Sequence, residues 1–173
     1  HEYMLESAAK WRDENIPNAN LIIAIGSSNR PQNLLNPWSH EERAEMIQFW
    51  LKSKSIEDIH ICSIPDIEDP PNWVKHASQY HGSAGVIITT DLSTSELYSA
   101  AGWQVVLLPL DQRERFEGWR VRETARMLST IGDEAAIREV LGTLVPTAVL
   151  NHLIESNGLH RLAFMGEGGE PVG

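Results

Sequence analysis

Four short apolar runs punctuate the chain: LIIAI at Leu21–Ile25, IHICSI at Ile59–Ile64, GVIIT at Gly85–Thr89 and QVVLLP at Gln104–Pro109. They are rich in β-branched residues, show little polar alternation, and are separated by segments with helical apolar spacing. Runs of this kind suit strands buried on both faces of a parallel sheet, whose connections are right-handed helical crossovers. The pattern predicts an α/β fold.

The helices carry their own signals. HEYMLESAAKW repeats apolar residues at Met4, Leu5, Ala8 and Trp11. Ser39 and Glu42 form an S-x-x-E capping box ahead of an apolar face at Ala44, Ile47, Trp50 and Leu51, so a helix starts just after Pro37-Trp38. Further helices are predicted at Trp73–Tyr80, Ser93–Ala101, Arg120–Thr130, Glu134–Gly142 and Pro146–Ser156. One more strand ahead of the first helix would complete a five-stranded doubly wound sheet. Ligands of such sheets bind outside the carboxyl ends of the strands. The polar loops after all four runs, including Gly26–Asn29, Pro65-Asp66 and Thr89-Thr90-Asp91, fall on that edge.

Composition narrows the function. The 173 residues suit one domain that buries its own core without disulfides or metal. A formal net charge of -10 disfavours nonspecific nucleic-acid binding but leaves room for a small anion in a locally basic pocket. Cys62 is the one cysteine, in an apolar stretch; it reads as a reduced core residue of a cytoplasmic protein, without an intrachain disulfide. No apolar run approaches the roughly 18 residues of a membrane span, and no secretory leader is visible. The histidines lack Cys or carboxylate partners at ligand spacing, so no protein-borne metal site is expected. Neither G-x-S-x-G nor G-x-x-x-x-G-K-[ST] is present, which removes the signals for serine hydrolysis and P-loop phosphotransfer.

The order of motifs adds an identity. Gly26-Ser27 ends a strand, a long loop leads to Asn36-Pro37-Trp38, and Glu42-Arg43 follow inside a helix; Pro65-Asp66-Ile67-Glu68 then leads to Asn72-Trp73-Val74. Arg113-x-Arg115-Phe116-x-Gly118 leads to Arg122, and Leu144-Val145-Pro146 opens the last helix. Over nearly its whole length the chain resembles the archaeal-type nicotinamide mononucleotide adenylyltransferases of the nucleotidyltransferase superfamily. The resemblance implies a Rossmann-like sheet with flanking helices and a C-terminal helical segment, in a single nucleotidyltransferase domain over residues 1–165. Residues 166–173, GEGGEPVG, have the composition of a flexible tail. His1 resembles the second His of the family's H-x-G-H motif; the first strand and the rest of that motif are expected ahead of it.

On this resemblance the reaction is adenylyl transfer from ATP to nicotinamide mononucleotide (NMN), giving NAD and pyrophosphate. His1 and Arg122 are implied as catalytic residues. Gly26, Ser27, Asn36, Arg43, Asp66 and Trp73 are implied to bind substrate, with Trp73 stacking on the nicotinamide ring. Gly118, Arg120 and Arg122 are implied to bind phosphate. Mg²⁺ is expected mainly on the ATP phosphates; nucleic-acid and membrane partners are not expected, and a homo-oligomer is left open.

Plainer readings stand beside these roles. Trp73 next to a PP pair suits packing, Arg43 suits an i,i+4 surface partner, and Asn36 suits a turn before proline. Four arginines between Arg113 and Arg122 could be a solvated face, but they reverse the acidic background locally and favour an anion site. The family's late signature, Ser-Gly-Thr-x-x-Arg or Ser-Ser-Thr-x-x-Arg, here reads Glu117-Gly118-Trp119-Arg120-Val121-Arg122, without either hydroxyl. A carboxylate repels triphosphate, so the loop is displaced, or Arg120 compensates, or the substrate differs. The alternatives are another phosphate or phospho-alcohol acceptor, or a degenerate nucleotide-binding module without turnover.

Overall fold

Every apolar run of the sequence forms a strand, and a helix follows each one. In the computed structural model, which describes residues 1–109 and 117–166, the elements in chain order are α1 (Glu2–Asn15), β1 (Leu21–Ile25), α2 (His40–Ser53), β2 (Ile59–Ser63), α3 (Trp73–His81), β3 (Val86–Thr89), α4 (Leu92–Ala100), β4 (Gln104–Leu107), α5 (Gly118–Leu128), α6 (Glu134–Leu141) and α7 (Thr147–Glu155). Short 3-10 turns occupy Pro70–Asn72 and His160–Phe164. None of the described helices is long and apolar enough to cross a membrane.

The strands pair in parallel, β1 with β2 (Ile23 opposite Ile61) and β3 with β4 (Ile87 opposite Val105). The α/β class and parallel pairing are as expected. The single five-stranded ladder is not: the four described strands form two separate pairs. Periodicity marks a segment as strand but does not choose its neighbour, which depends on contacts distant in sequence. Burial on both faces also fails in β1, where Ile23 and Ile25 are buried but Ile22 is 38% exposed. An unbroken apolar run does not reveal which of its faces is covered.

The chain divides into two units, one of His1–Asn29 with Asp58–Asp111 and the other of Arg30–Glu57 with Gln112–Gly173. The first holds all four strands with α1, α3 and α4. Its core around Ile64, Ala77 and Tyr98 takes in Cys62, Trp73, Val74, Ile87, Trp103 and Val105. Strand pairing runs one residue past the ends of β2 and β4, through Ile64 N–H to Ile25 O and Leu108 N–H to Thr89 O. Thr90 Oγ1, just beyond β3, reaches Met4 Sδ at 3.9 Å, so the first turn of α1 lies at the carboxyl end of that strand.

The second unit is helical. Its core is built from Ala125, Leu128, Leu141, Leu150, Leu153, Leu159 and Leu162, with Trp38 and Met46 packed against it. Leu141 and Leu162 are wholly inaccessible; truncating either to Ala would cost about 2–5 kcal/mol. The predicted capping box is present: Ser39 Oγ accepts from Glu42 N–H and Glu42 Oε2 accepts from Ser39 N–H at 2.8 Å.

Candidate active site

In the first unit, the loops that leave β1 and β2 meet at Ser27, Asn29 and Asp66. Gly26 is exposed directly after β1. Ser27 follows with φ of 55°, in the left-handed region that a non-glycine residue adopts only with support. The support is Asp66, whose Oδ2 accepts from Ser27 Oγ at 2.9 Å. Asn29 completes the clasp: its Nδ2 donates to Asp66 O at 3.0 Å and its Oδ1 accepts from Asp66 N–H at 2.8 Å. Asp66 is therefore fixed through side chain and backbone together.

Trp73 begins α3, half-buried, with part of its ring against the Ile64–Ala77–Tyr98 core. Its indole lies 5.9 Å from the His76 ring, which stands edge-on to Tyr80 at 5.2 Å. The Pro65 carbonyl can only accept, so His76 Nε2 carries the proton it donates there, at 2.9 Å. His76 thus ties the helix of Trp73 to the residue preceding Asp66. His1 is exposed at the N-cap of α1, its carbonyl accepting from Leu5 N–H, at the helix end whose free amides favour an anion.

In the second unit, Asn36 closes a tight turn. Its N–H is shared by Asn33 Oδ1 at 2.9 Å and Asn33 O at 3.0 Å, as the turn-forming reading requires. Its Nδ2, however, is buried without an acceptor among the described residues. An orphaned buried amide donor is costly, and such groups commonly meet a ligand or water. Arg43 Nε donates to Ser39 O, one turn back, at 3.4 Å.

The altered late signature forms the head of α5. Glu117 occupies the N-cap position without capping by its side chain. Its Oε2 instead accepts from Trp119 Nε1 at 2.7 Å and from Arg120 Nε at 3.3 Å, while the Arg120 guanidinium lies over the Trp119 ring at 4.8 Å. The carboxylate that would repel phosphate is locally neutralised by Arg120. Arg122 folds back over Gly118: a Cβ there would stand 2.9 Å from Arg122 Nη1. Burial pushes the Arg122 guanidinium below its usual pKa, but arginine keeps its charge at any working pH. Arg113 and Arg115 lie outside the described residues, and no cluster of three or more potential metal ligands occurs among those described.

Sequence reading missed three participants. Asn29 and His76 act through contacts 37 and 11 residues away, and Arg161 pairs with Glu42 across 119 residues. Local spacing carries no signal for such pairs.

No family model matches the chain. Among curated proteins it is similar to the nicotinamide-nucleotide adenylyltransferase of Pyrobaculum arsenaticum, 30% identical over 125 residues that make up 71% of the chain and 67% of that relative. The enzyme of the same name from Saccharolobus solfataricus is 28% identical over 155 residues, 88% of the chain and 83% of the relative. That from Methanolobus tindarius is 27% identical over 162 residues, 94% and 84%. Among solved structures, a bifunctional NMN adenylyltransferase/ADP ribose pyrophosphatase of Francisella tularensis, complexed with AMP and a manganese ion, matches with a TM-score of 0.62 at 18% identity. The match covers 94% of the chain but 47% of that bifunctional protein, about half its length, and at this identity it establishes the fold alone.

Proposed function

The chain belongs to the nicotinamide-nucleotide adenylyltransferases, and from this we infer that it is a nucleotidyltransferase joining ATP and NMN into NAD. The observation that carries the inference is similarity to enzymes of this one name across most of the chain. A 5′-phosphate oxygen of NMN attacks the α-phosphorus of ATP; the bond to the β-phosphate oxygen breaks, and pyrophosphate leaves with the electron pair. Such a transfer needs positioning and charge neutralisation more than covalent participation by the protein.

We assign Arg122 to the β- and γ-phosphates, where its fork matches phosphate oxygens and gains strength as charge develops on the leaving group. The free amides at the head of α5, beside Gly118, supply a partial positive charge. His1, at the head of α1, is assigned as a further phosphate donor. Asp66, clasped by Ser27 and Asn29, and the free part of the Trp73 ring are assigned to the NMN ribose and nicotinamide, with Gly26 allowing close backbone approach. Asn36 Nδ2 is assigned an acceptor on NMN, and Arg43 a supporting contact. Mg²⁺ bound mainly through the ATP phosphates would supply charge screening as pyrophosphate leaves, with Arg122 and His1 as this chain's own contacts to the phosphates. The full five-stranded sheet, one catalytic domain over residues 1–165 and a cytoplasmic location belong to the same reading.

Glu117 and Trp119 favour one second reading, a related phosphate acceptor in place of NMN. An acceptor panel tests the choice. The protein is incubated with ATP, Mg²⁺ and either NMN, nicotinic acid mononucleotide or phosphopantetheine, and pyrophosphate release is followed. Release with NMN, matched by NAD, supports the reading; release only with another acceptor overturns it.

A further inference from the structure

The turn at Asn33–Asn36 is held from the far end of the chain. Glu42, in the first turn of α2, joins three segments. Its Oε2 accepts from Ser39 N–H at 2.8 Å, from Gln32 Nε2 at 3.0 Å and from Arg161 Nη1 at 2.9 Å, and its Oε1 lies 2.5 Å from Arg161 Nη2. Arg161 therefore grips the carboxylate with both arms of its fork, the strongest geometry available to such a pair. Gln32 precedes the turn, and Ser39 follows it. One carboxylate thus fixes both flanks of the turn to the 3-10 segment that contains Arg161.

Two further bonds run the same way. Trp38 Nε1 donates to Gly158 O at 3.3 Å, and Leu34 N–H donates to Gly166 O at 3.4 Å. Among the described residues, 158–166 meet the turn and its flanks through Gly158, Arg161 and Gly166, and of these Arg161 carries the charge. The side chains of Glu42 and Arg161 are 28% and 35% exposed, so the pair is shielded enough to exceed an ordinary surface ion pair. Within the turn they brace, Asn36 Nδ2 is buried without an acceptor among the described residues.

We propose that Arg161 is a positioning residue for the reaction: through Glu42 and Gln32 it holds the 33–36 turn in the shape that presents Asn36 to NMN. The proposal rests on the assignment of Asn36 to NMN given above. Arg161 touches no substrate and contributes by reducing the ordering that binding would otherwise require. A purely structural role would lower the melting temperature and the active fraction while leaving the affinity of the remaining folded protein unchanged.

The test is equilibrium binding of NMN and of ATP, measured separately, with steady-state kinetics, for wild type, Arg161→Met, Arg161→Lys, Glu42→Gln and the Glu42→Gln/Arg161→Met double variant. Arg161→Met is expected to weaken NMN roughly tenfold and raise its KM equally, with kcat within about twofold and ATP affinity unchanged. Arg161→Lys should recover part of the loss, because an ammonium keeps the charge but not the fork. The double variant should be little worse than Arg161→Met alone, since both substitutions break one linkage. Equal NMN affinity in wild type and Arg161→Met overturns the proposal and leaves the assigned reaction standing. Wild type that fails to bind NMN at all overturns both. Loss of kcat at constant KM shows Arg161 to be structural and also overturns the proposal.

Discussion

Glu117 and Arg120 pair at the head of α5, with 3.3 Å between Oε2 and Nε. The guanidinium sits on the carboxylate and over the Trp119 ring, at the place where the family carries hydroxyls. The contact offsets the Glu117 charge with Arg120, one of the three explanations open from sequence. Phosphate must compete with Glu117 for Arg120, so Glu117→Ser should free the guanidinium and restore a hydroxyl. The Arg120 side chain is 55% exposed, so the pair is worth about 0–1 kcal/mol and stability should hardly change. The KM for ATP should fall roughly threefold to tenfold. An unchanged or higher KM would show that Arg120 does not reach phosphate.

Gly118 and Arg122 share space that a methyl group would occupy. Gly118→Ala places a carbon against the end of a flexible side chain, which can swing aside. The first turn of a helix also prefers Ala to Gly by up to about 1 kcal/mol. The variant should melt at or slightly above the wild-type temperature yet turn over at least severalfold more slowly. Unaltered turnover would mean that the folded-back pose of Arg122 is not the working one.

Trp73 serves both packing and binding, because one part of its ring meets the core and another remains accessible. Trp73→Ala should therefore lower the melting temperature and weaken NMN by about 1–3 kcal/mol, with ATP affinity nearly constant. Titration of each ligand in turn, on protein shown to be folded, separates the effects. Equal losses for both ligands would leave only the packing role.

Burial pushes both the Cys62 thiol and the Tyr98 phenol up in pKa. The folded state favours the neutral form of each, while the unfolded chain ionises at its ordinary value, 9.0 for the thiol and 10.0 for the phenol. The unfolded state then binds fewer protons than the folded one, so the contribution is intact below pH 9 and is lost as pH rises further. Melting temperature should fall above that point, and Cys62→Ala should flatten the first part of the fall. Parallel curves for the two proteins would refute a contribution from the thiol.

The parts legible in sequence are those written locally. The capping box of Ser39 and Glu42, the four β-branched runs and the breaks at Pro70-Pro71 and Gly102 each depend on neighbours within a few residues, and each marks an observed element boundary to within a residue or two. The pairing of β1 with β2, the left-handed Ser27 and the clasp on Asp66 depend on residues nearly forty positions apart. Glu42 shows the difference most directly. Its capping bond is predictable from spacing, whereas the fork from Arg161 that shares the same carboxylate is not. The substitutions at Glu117 and Trp119 were visible as departures, but their mutual hydrogen bond required coordinates.

The central assignment is adenylyl transfer to NMN with Arg122 stabilising the leaving pyrophosphate, and the rate of NAD formation by wild type and Arg122→Ala at saturating ATP, Mg²⁺ and NMN tests it most directly. Wild type should yield NAD and pyrophosphate in equal amounts. Arg122→Ala should cut the rate by roughly 10²–10³, or about 2.7–4 kcal/mol, as expected for a contact that strengthens in the transition state. Arg122→Lys should recover part of it. Wild type that binds ATP but forms no NAD, or an Arg122→Ala variant as fast as wild type, would contradict the assignment.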